Sequence, residues 1–210
     1  EVKKKYPDVL FLAEAFTAPK VMHQLGKQGY TQSYTYFTWR NSKQEFIEYM
    51  NELTQTDQKE YMRPNFWPNT PDINPYHLQN APESKYLQRY VLAATLSSNI
   101  GIYGPVFEQM ISEPIPGKEE YYMSEKSQLC NYDWSKENKV TELIASINNV
   151  RHENESYQQT NNIRFCETGN DKILAFYKWN DAKTNETLTV ISLDAYNTQA
   201  GSVQLPLEQL

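Results

Sequence analysis

Several features that would name a chemistry outright are scarce or missing in this sequence. Histidine occurs three times in 210 residues, and no two histidines have metal-ligand spacing, so all three read as structural or surface residues. There is no glycine-rich phosphate loop and no nucleophile elbow. Two cysteines, Cys130 and Cys166, are too few and too isolated for a disulfide scaffold and fit a reducing, cytoplasmic compartment. No apolar run approaches the ~18 residues of a membrane span. The formal net charge is −6, and no basic stripe offers a nucleic-acid footprint. The short run Lys3-Lys4-Lys5 reads as solvated charge. Glu1-Val2-Lys3 shows neither an initiator methionine nor a signal peptide. The chain is therefore expected to be part of a longer polypeptide.

Aromatic residues are abundant, at 13% with 16 tyrosines. Rings with a polar tip suit sugar clefts, although ordinary interfaces use them too. The most informative residue is Glu14. It closes the apolar run Val9-Leu10-Phe11-Leu12-Ala13, which reads as a strand buried on both faces, as in a parallel sheet. Barrel enzymes place catalytic groups at the C-terminal ends of such strands. The segment from Phe66 to Asp72 also ends on a carboxylate, which suggests a shared face. Asp72 has a plainer reading, because Thr70-Pro71-Asp72 is a good turn in which the aspartate side chain bonds nearby backbone.

Strand-like and helix-like stretches alternate as far as Tyr157. Strands are expected near Glu14, over Tyr30–Phe37, over Tyr61–Phe66 and over Ile100–Tyr103. Helices are expected over Pro19–Gly26, Ser42–Leu53 (with Ser42 and Glu45 as a capping box), Ser84–Leu96 and Lys139–Glu153. A long polar and aromatic segment, Pro105–Trp134, has the length of a functional loop. After residue 157 the pattern turns to short strands with tight connections: Asn161–Cys166, Lys172–Trp179, Thr187–Leu193 and Gly201–Leu205. A boundary is expected between residues 157 and 158.

A set of ordered blocks carries a resemblance. They are Phe11-Leu12-Ala13-Glu14-Ala15-Phe16-Thr17, the run Thr31–Arg40, Arg63-Pro64-Asn65-Phe66, Asn69-Thr70-Pro71-Asp72-Ile73-Asn74-Pro75-Tyr76, Gly101-Ile102-Tyr103-Gly104 and Pro116-Gly117-Lys118-Glu119-Glu120-Tyr121. Together they resemble the α-1,4-glucan:maltose-1-phosphate maltosyltransferases, a branch of glycoside hydrolase family 13 within the α-amylase family. The resemblance implies an α/β fold: residues 1–157 as strands five to eight of a (β/α)8 TIM barrel, and residues 158–210 as an antiparallel β-sandwich-type domain, possibly incomplete. It implies retaining transfer of maltosyl units from α-maltose 1-phosphate to the non-reducing end of an α-1,4-glucan, with no cofactor or metal, in a cytoplasmic homodimer that binds neither nucleic acid nor membrane.

On this resemblance Glu14 is the general acid/base, Asp72 the carboxylate that stabilises the transition state, and Lys126 a residue that binds the maltosyl unit. Ser127 stands where the family usually has tyrosine, which removes one aromatic sugar contact. The family's nucleophile, an aspartate in a Gly-Phe-Arg-x-Asp-type motif, has no counterpart in these 210 residues, so the chain by itself is expected to be inactive. Tyr34 and Trp39 are candidate sugar contacts. Two other readings stay open: a carbohydrate-binding chain without turnover, and a family 13 hydrolase that uses water as acceptor.

Overall fold

Short parallel strands alternate with helices through the first part of the chain, in a computed structural model that describes residues 1–205. One helical turn, α1 (Val2–Lys5), precedes β1 (Leu12–Ala13), and α2 (Pro19–Lys27) leads back to β2 (Gln32–Tyr34). Next come α3 (Lys43–Gln55), the turn α4 (Gln58–Tyr61), β3 (Pro64–Phe66), α5 (Glu83–Leu96), β4 (Asn99–Ile100) and the short α6 (Gly104–Glu108). The strands pair in chain order and all in parallel. Parallel neighbours require a crossover between them, and helices supply it. The C-terminal ends of all four strands thus lie along one edge of the sheet, and the segments after β1, β3 and β4 leave from that edge.

The helices have local causes. Pro19 opens α2 where a missing N–H costs nothing. Ser42 Oγ accepts the Glu45 N–H at 3.3 Å, and the Glu45 carboxylate accepts the Ser42 N–H at 2.8 Å, which completes the expected capping box of α3. Asn138 and Thr141 form the same reciprocal cap on α7 (Lys139–Glu153).

Two arginines join elements distant in sequence. Arg89 of α5 is wholly buried and donates to the carbonyls of Arg40 at 2.6 Å and Phe37 at 2.9 Å. Its guanidinium lies 4.2 Å from the Phe37 ring centroid. Burial lowers its pKa to about 9. Arg151 of α7 donates to the carbonyls of Ser97 and Ser98 at 3.0 and 2.8 Å, just past the end of α5, where helical carbonyls lack partners.

The remaining strands are β5 (Ile163–Cys166), β6 (Ile173–Trp179) and β7 (Glu186–Ser192), an antiparallel sheet with β6 in the middle. Ile163, Leu174 and Phe176 share one buried cluster with Phe46 and Met50 of α3, Phe66 of β3 and Leu92 of α5. The Gln88 side chain donates to the Ser192 carbonyl at 2.8 Å, which fixes the last strand to α5.

Several expected boundaries move. The strand before Glu14 is not buried on both faces: Leu12 is 52% exposed and only Ala13 is buried. β1 is an end strand of the sheet, with a partner on one side only among the described residues. The Tyr30–Phe37 strand stops at Tyr34, and Tyr36–Trp39 winds into a 3₁₀ turn whose carbonyls Arg89 collects. Tyr61 closes α4 instead of opening β3. Ile102 and Tyr103 leave the sheet before α6. In the second part, the Gly201–Leu205 strand shrinks to a single bridge between Thr168 and Val203. The described residues of this part form one three-stranded sheet. The last five residues of the expected 158–210 domain lie outside the described residues.

Candidate active site

Glu14 follows β1 directly, at the sheet edge where the strand ends converge. Its carboxyl group is held above the ordinary glutamate range. Partial burial is the first cause and the Asp72 charge the second, while the Lys126 charge opposes both. Glu14, Asp72 and Lys126 therefore form one electrostatic group, although they come from the segments after β1, β3 and β4.

Asp72 sits on the irregular segment after β3. The turn expected to consume its carboxylate is made by another residue. Thr70 Oγ1 accepts the N–H groups of Asp72 at 3.2 Å and Ile73 at 3.0 Å. That leaves the Asp72 carboxylate for Lys126, with which it forms an ion pair. Asn69, one turn earlier, is buried. Its amide donates to the Tyr121 hydroxyl at 2.9 Å and its carbonyl oxygen accepts the Tyr103 N–H at 3.0 Å. This one side chain joins the β3 segment to the start and the middle of the long β4 segment.

Lys126 lies in a tight turn. The Lys126 N–H donates to Ser124 Oγ at 3.3 Å and the Ser127 N–H to the Ser124 carbonyl at 3.0 Å. Next to it, the Tyr103 hydroxyl donates to Glu125 at 2.7 Å. Ser127 is exposed and its hydroxyl turns back to the Ser124 carbonyl.

An aromatic wall stands beside these charges. Tyr34 packs on Trp67 with centroids 4.8 Å apart and on Phe16 at 5.9 Å, while Phe16 meets Trp39 edge-on at 5.3 Å. The Tyr34 phenol is raised by partial burial first and then by the charges of Glu14 and Asp72, which lie near enough to act on it. Trp67 depends on Gly101, where a Cβ would meet indole carbons at 2.3–2.7 Å. The sequence named Tyr34 and Trp39 as candidate contacts. The structure puts Tyr34 beside the carboxylates and turns the Trp39 indole N–H to Glu119 at 2.9 Å.

Chemically, the cluster offers a carboxyl group biased toward holding its proton, an anion–cation pair that can receive sugar hydroxyls, and ring faces that can pack on C–H surfaces. Among the described residues no group of three or more His, Cys, Asp or Glu is arranged to hold a metal ion. No helix among them is long and apolar enough to cross a membrane. Sequence reasoning missed Asn69 and Glu119. Both lie in blocks that carried the family resemblance, and both side chains act between segments, which leaves no local signature.

A family model described as "GLGE, C-terminal" matches residues 165–210. The chain is 49% identical to the α-1,4-glucan:maltose-1-phosphate maltosyltransferase of Chlorobaculum tepidum, over 99% of this chain and 32% of the relative. It is 47% identical to the enzyme of the same name from Methylacidiphilum infernorum, over 100% of this chain and 32% of the relative. In three dimensions it resembles the crystal structure of α-amylase from H. orenii, with a TM-score of 0.67 at 13% identity, covering 90% of this chain and 44% of that one. This likeness concerns the fold alone. The chain spans about a third of the length of the curated relatives it matches. With its ordered motif blocks and this level of identity along its whole length, the chain is similar throughout to a segment, about a third in length, of the α-1,4-glucan:maltose-1-phosphate maltosyltransferases.

Proposed function

We propose that this chain supplies the acid/base side of a retaining maltosyl-transfer site. The observation that carries the reading is the grouping of Glu14 with the Asp72–Lys126 ion pair, next to the packed rings of Tyr34 and Trp67. The donor is α-maltose 1-phosphate and the acceptor the non-reducing end of an α-1,4-glucan. Retention needs two carboxyl groups about 5–5.5 Å apart, one attacking the anomeric carbon and one exchanging protons. In this reading the attacking carboxylate comes from sequence outside these 210 residues, and the chain by itself does not turn over.

The first step forms a bond from that carboxylate to C1 as the C1–O bond breaks, and the electron pair leaves with phosphate. Phosphate departs readily, so proton donation matters little there. In the second step the acceptor hydroxyl attacks C1, Glu14 takes its proton, and the carboxylate is released. Glu14 thus works chiefly as a base. Asp72 holds sugar hydroxyls and stabilises the oxocarbenium-like transition state, and Lys126 binds the maltosyl unit. Residues 1–157 contribute strands five to eight of a (β/α)8 barrel, and residues 158–210 a β-rich domain that braces it. The whole enzyme is a cytoplasmic homodimer in glycogen-type glucan synthesis.

The test is phosphate release from α-maltose 1-phosphate with maltohexaose as acceptor, comparing the 210-residue chain with a polypeptide extended upstream to the relatives' length. Activity in the extended form alone supports the proposal. Turnover by the chain itself means that a carboxylate within it attacks. Silence from both points to a carbohydrate-binding chain, and products cut by water rather than lengthened point to a hydrolase.

A further inference from the structure

We infer that Glu119 is a positioning residue for this reaction, one carboxylate that fastens the Lys126 segment to the Asp72 segment and to the aromatic wall behind Glu14. The inference rests on the maltosyl-transfer reading. Glu119 lies in the turn around Gly117 and touches neither Glu14 nor Asp72. Its Oε2 accepts the Trp39 indole N–H at 2.9 Å, and its Oε1 accepts the Tyr76 backbone N–H at 3.1 Å. Its backbone carbonyl accepts the Asn74 N–H at 2.9 Å.

These bonds tie the Glu119 turn to the segment after Asp72 and to Trp39. Trp39 packs edge-on against Phe16, two residues past Glu14. Asn74 and Tyr76 continue directly from Asp72. Glu119 itself leads into Tyr121, whose hydroxyl accepts from Asn69, and then into the Lys126 turn. Neighbouring contacts repeat the pattern: the Tyr76 hydroxyl donates to the Gly117 carbonyl at 3.0 Å and the Gln79 amide to the Lys118 carbonyl at 3.0 Å. Among these contacts of the described residues, Glu119 also reaches Trp39. Its two oxygens face two donors with charge-assisted hydrogen bonds, which are shorter and stronger than neutral ones. A glutamine there must turn its NH₂ group toward one of those donors, so one fastening is lost while size and shape are kept.

Displacements of about 1 Å at a distance from the reacting atoms can cost on the order of a hundredfold in rate. In the enzyme at the relatives' full length, Glu119→Gln is expected to lower kcat by about tenfold or more, with a smaller change in donor KM because Glu119 does not touch the sugar. A second readout separates positioning from plain stability. Glu14 is faced by Asp72, Lys126 and Tyr34, and a slackened loop lets Lys126 drift from Glu14 and Asp72. The pH limb set by Glu14 then moves to higher pH.

The experiment measures kcat, KM and pH profile for Glu119→Gln and for Trp39→Phe, which removes one donor and keeps a ring. Lower kcat with the limb moved up in both supports the inference. Native kcat and profile overturn it, and so does a lowered melting temperature with native turnover per folded molecule. If Glu119→Gln does not fold, Trp39→Phe decides by the same two outcomes. Glu14→Gln and Asp72→Asn are run alongside. If those turn over normally, the transfer reading fails; if they are inactive while both outer variants are native, only the role of Glu119 fails.

Discussion

The Lys126 ammonium sits on the Asp72 carboxylate although the two residues come from different segments, and the effect of the pair falls on a third residue, Glu14. Both side chains are about half exposed, at 53% and 48%, so the pair adds at most about 1 kcal/mol to folding. Its significance is electrostatic. Asp72 pushes the Glu14 carboxyl upward and Lys126 holds it back. The pair therefore adjusts, on top of the larger effect of burial, the pH at which the acid/base residue changes state.

Lys126→Gln tests this directly. Removing the positive charge removes the one influence named here that favours ionised Glu14. Its pKa must rise, and the limb of the pH–rate profile carried by Glu14 moves to higher pH. A profile measured on the enzyme at the relatives' length checks it. A limb that stays in place, or moves to lower pH, contradicts the assignment.

Gly101→Ala tests the aromatic wall. The added methyl meets the Trp67 indole at 2.3–2.7 Å, far inside contact distance. Trp67 must move, and with it the packing on Tyr34. Overpacking of this kind costs about 1–3 kcal/mol, which a denaturant midpoint reads. An unchanged midpoint shows that the indole shifts freely.

Lys178 predicts a pH dependence of stability. The side chain is buried and donates to the Gln159 carbonyl at 2.6 Å, and burial, followed by the charge of Arg151, lowers its pKa to about 7. The ordinary lysine value is 10.5. Between these two values the unfolded chain holds a proton that the folded chain has released. Raising the pH through this window takes the proton from the unfolded state, so folding becomes more favourable as pH rises from about 7 toward 10.5. Below the window both states are protonated and the penalty for burying the charge is at its largest. Urea midpoints between pH 7 and 10 should rise, and Lys178→Met should flatten that rise. A fall across the window, with Lys178→Met behaving the same, contradicts the account.

Asn138→Ala tests the cap of α7. The Asn138 side chain accepts the N–H groups of Val140 at 2.8 Å and Thr141 at 3.1 Å, and its loss is expected to cost about 1 kcal/mol in a melting experiment. No measurable loss shows that solvent replaces the cap without cost.

Features with local causes were legible in the sequence. The capping box of Ser42 and Glu45, the periodicity of α7 and the hairpin of β5 and β6 follow from neighbouring residues, and the structure has all three. Strand lengths were not legible, because they depend on partners far away. Arg89 of α5 collects the carbonyls that end the extended stretch after Tyr34, and nothing between Tyr30 and Phe37 announces it. The site divides in the same way. Glu14 and Asp72 came from motif blocks and Lys126 from the family resemblance, and their adjacency rests on the parallel order of the strands. Glu119 carries the same kind of carboxylate, yet its partners Trp39 and Tyr76 lie in other segments, so its block alone could not assign it a task.

The most direct test of the central claim is the time course of phosphate release by Glu14→Gln, in the enzyme at the relatives' length, mixed with α-maltose 1-phosphate and maltohexaose. Phosphate leaves without proton donation, whereas the acceptor hydroxyl has lost its base. The account predicts a rapid burst of about one phosphate per active site, followed by near arrest as the covalent maltosyl-enzyme accumulates. Steady turnover at the unsubstituted rate, or no burst at all, would contradict the assignment of Glu14 as the base of a retaining transfer.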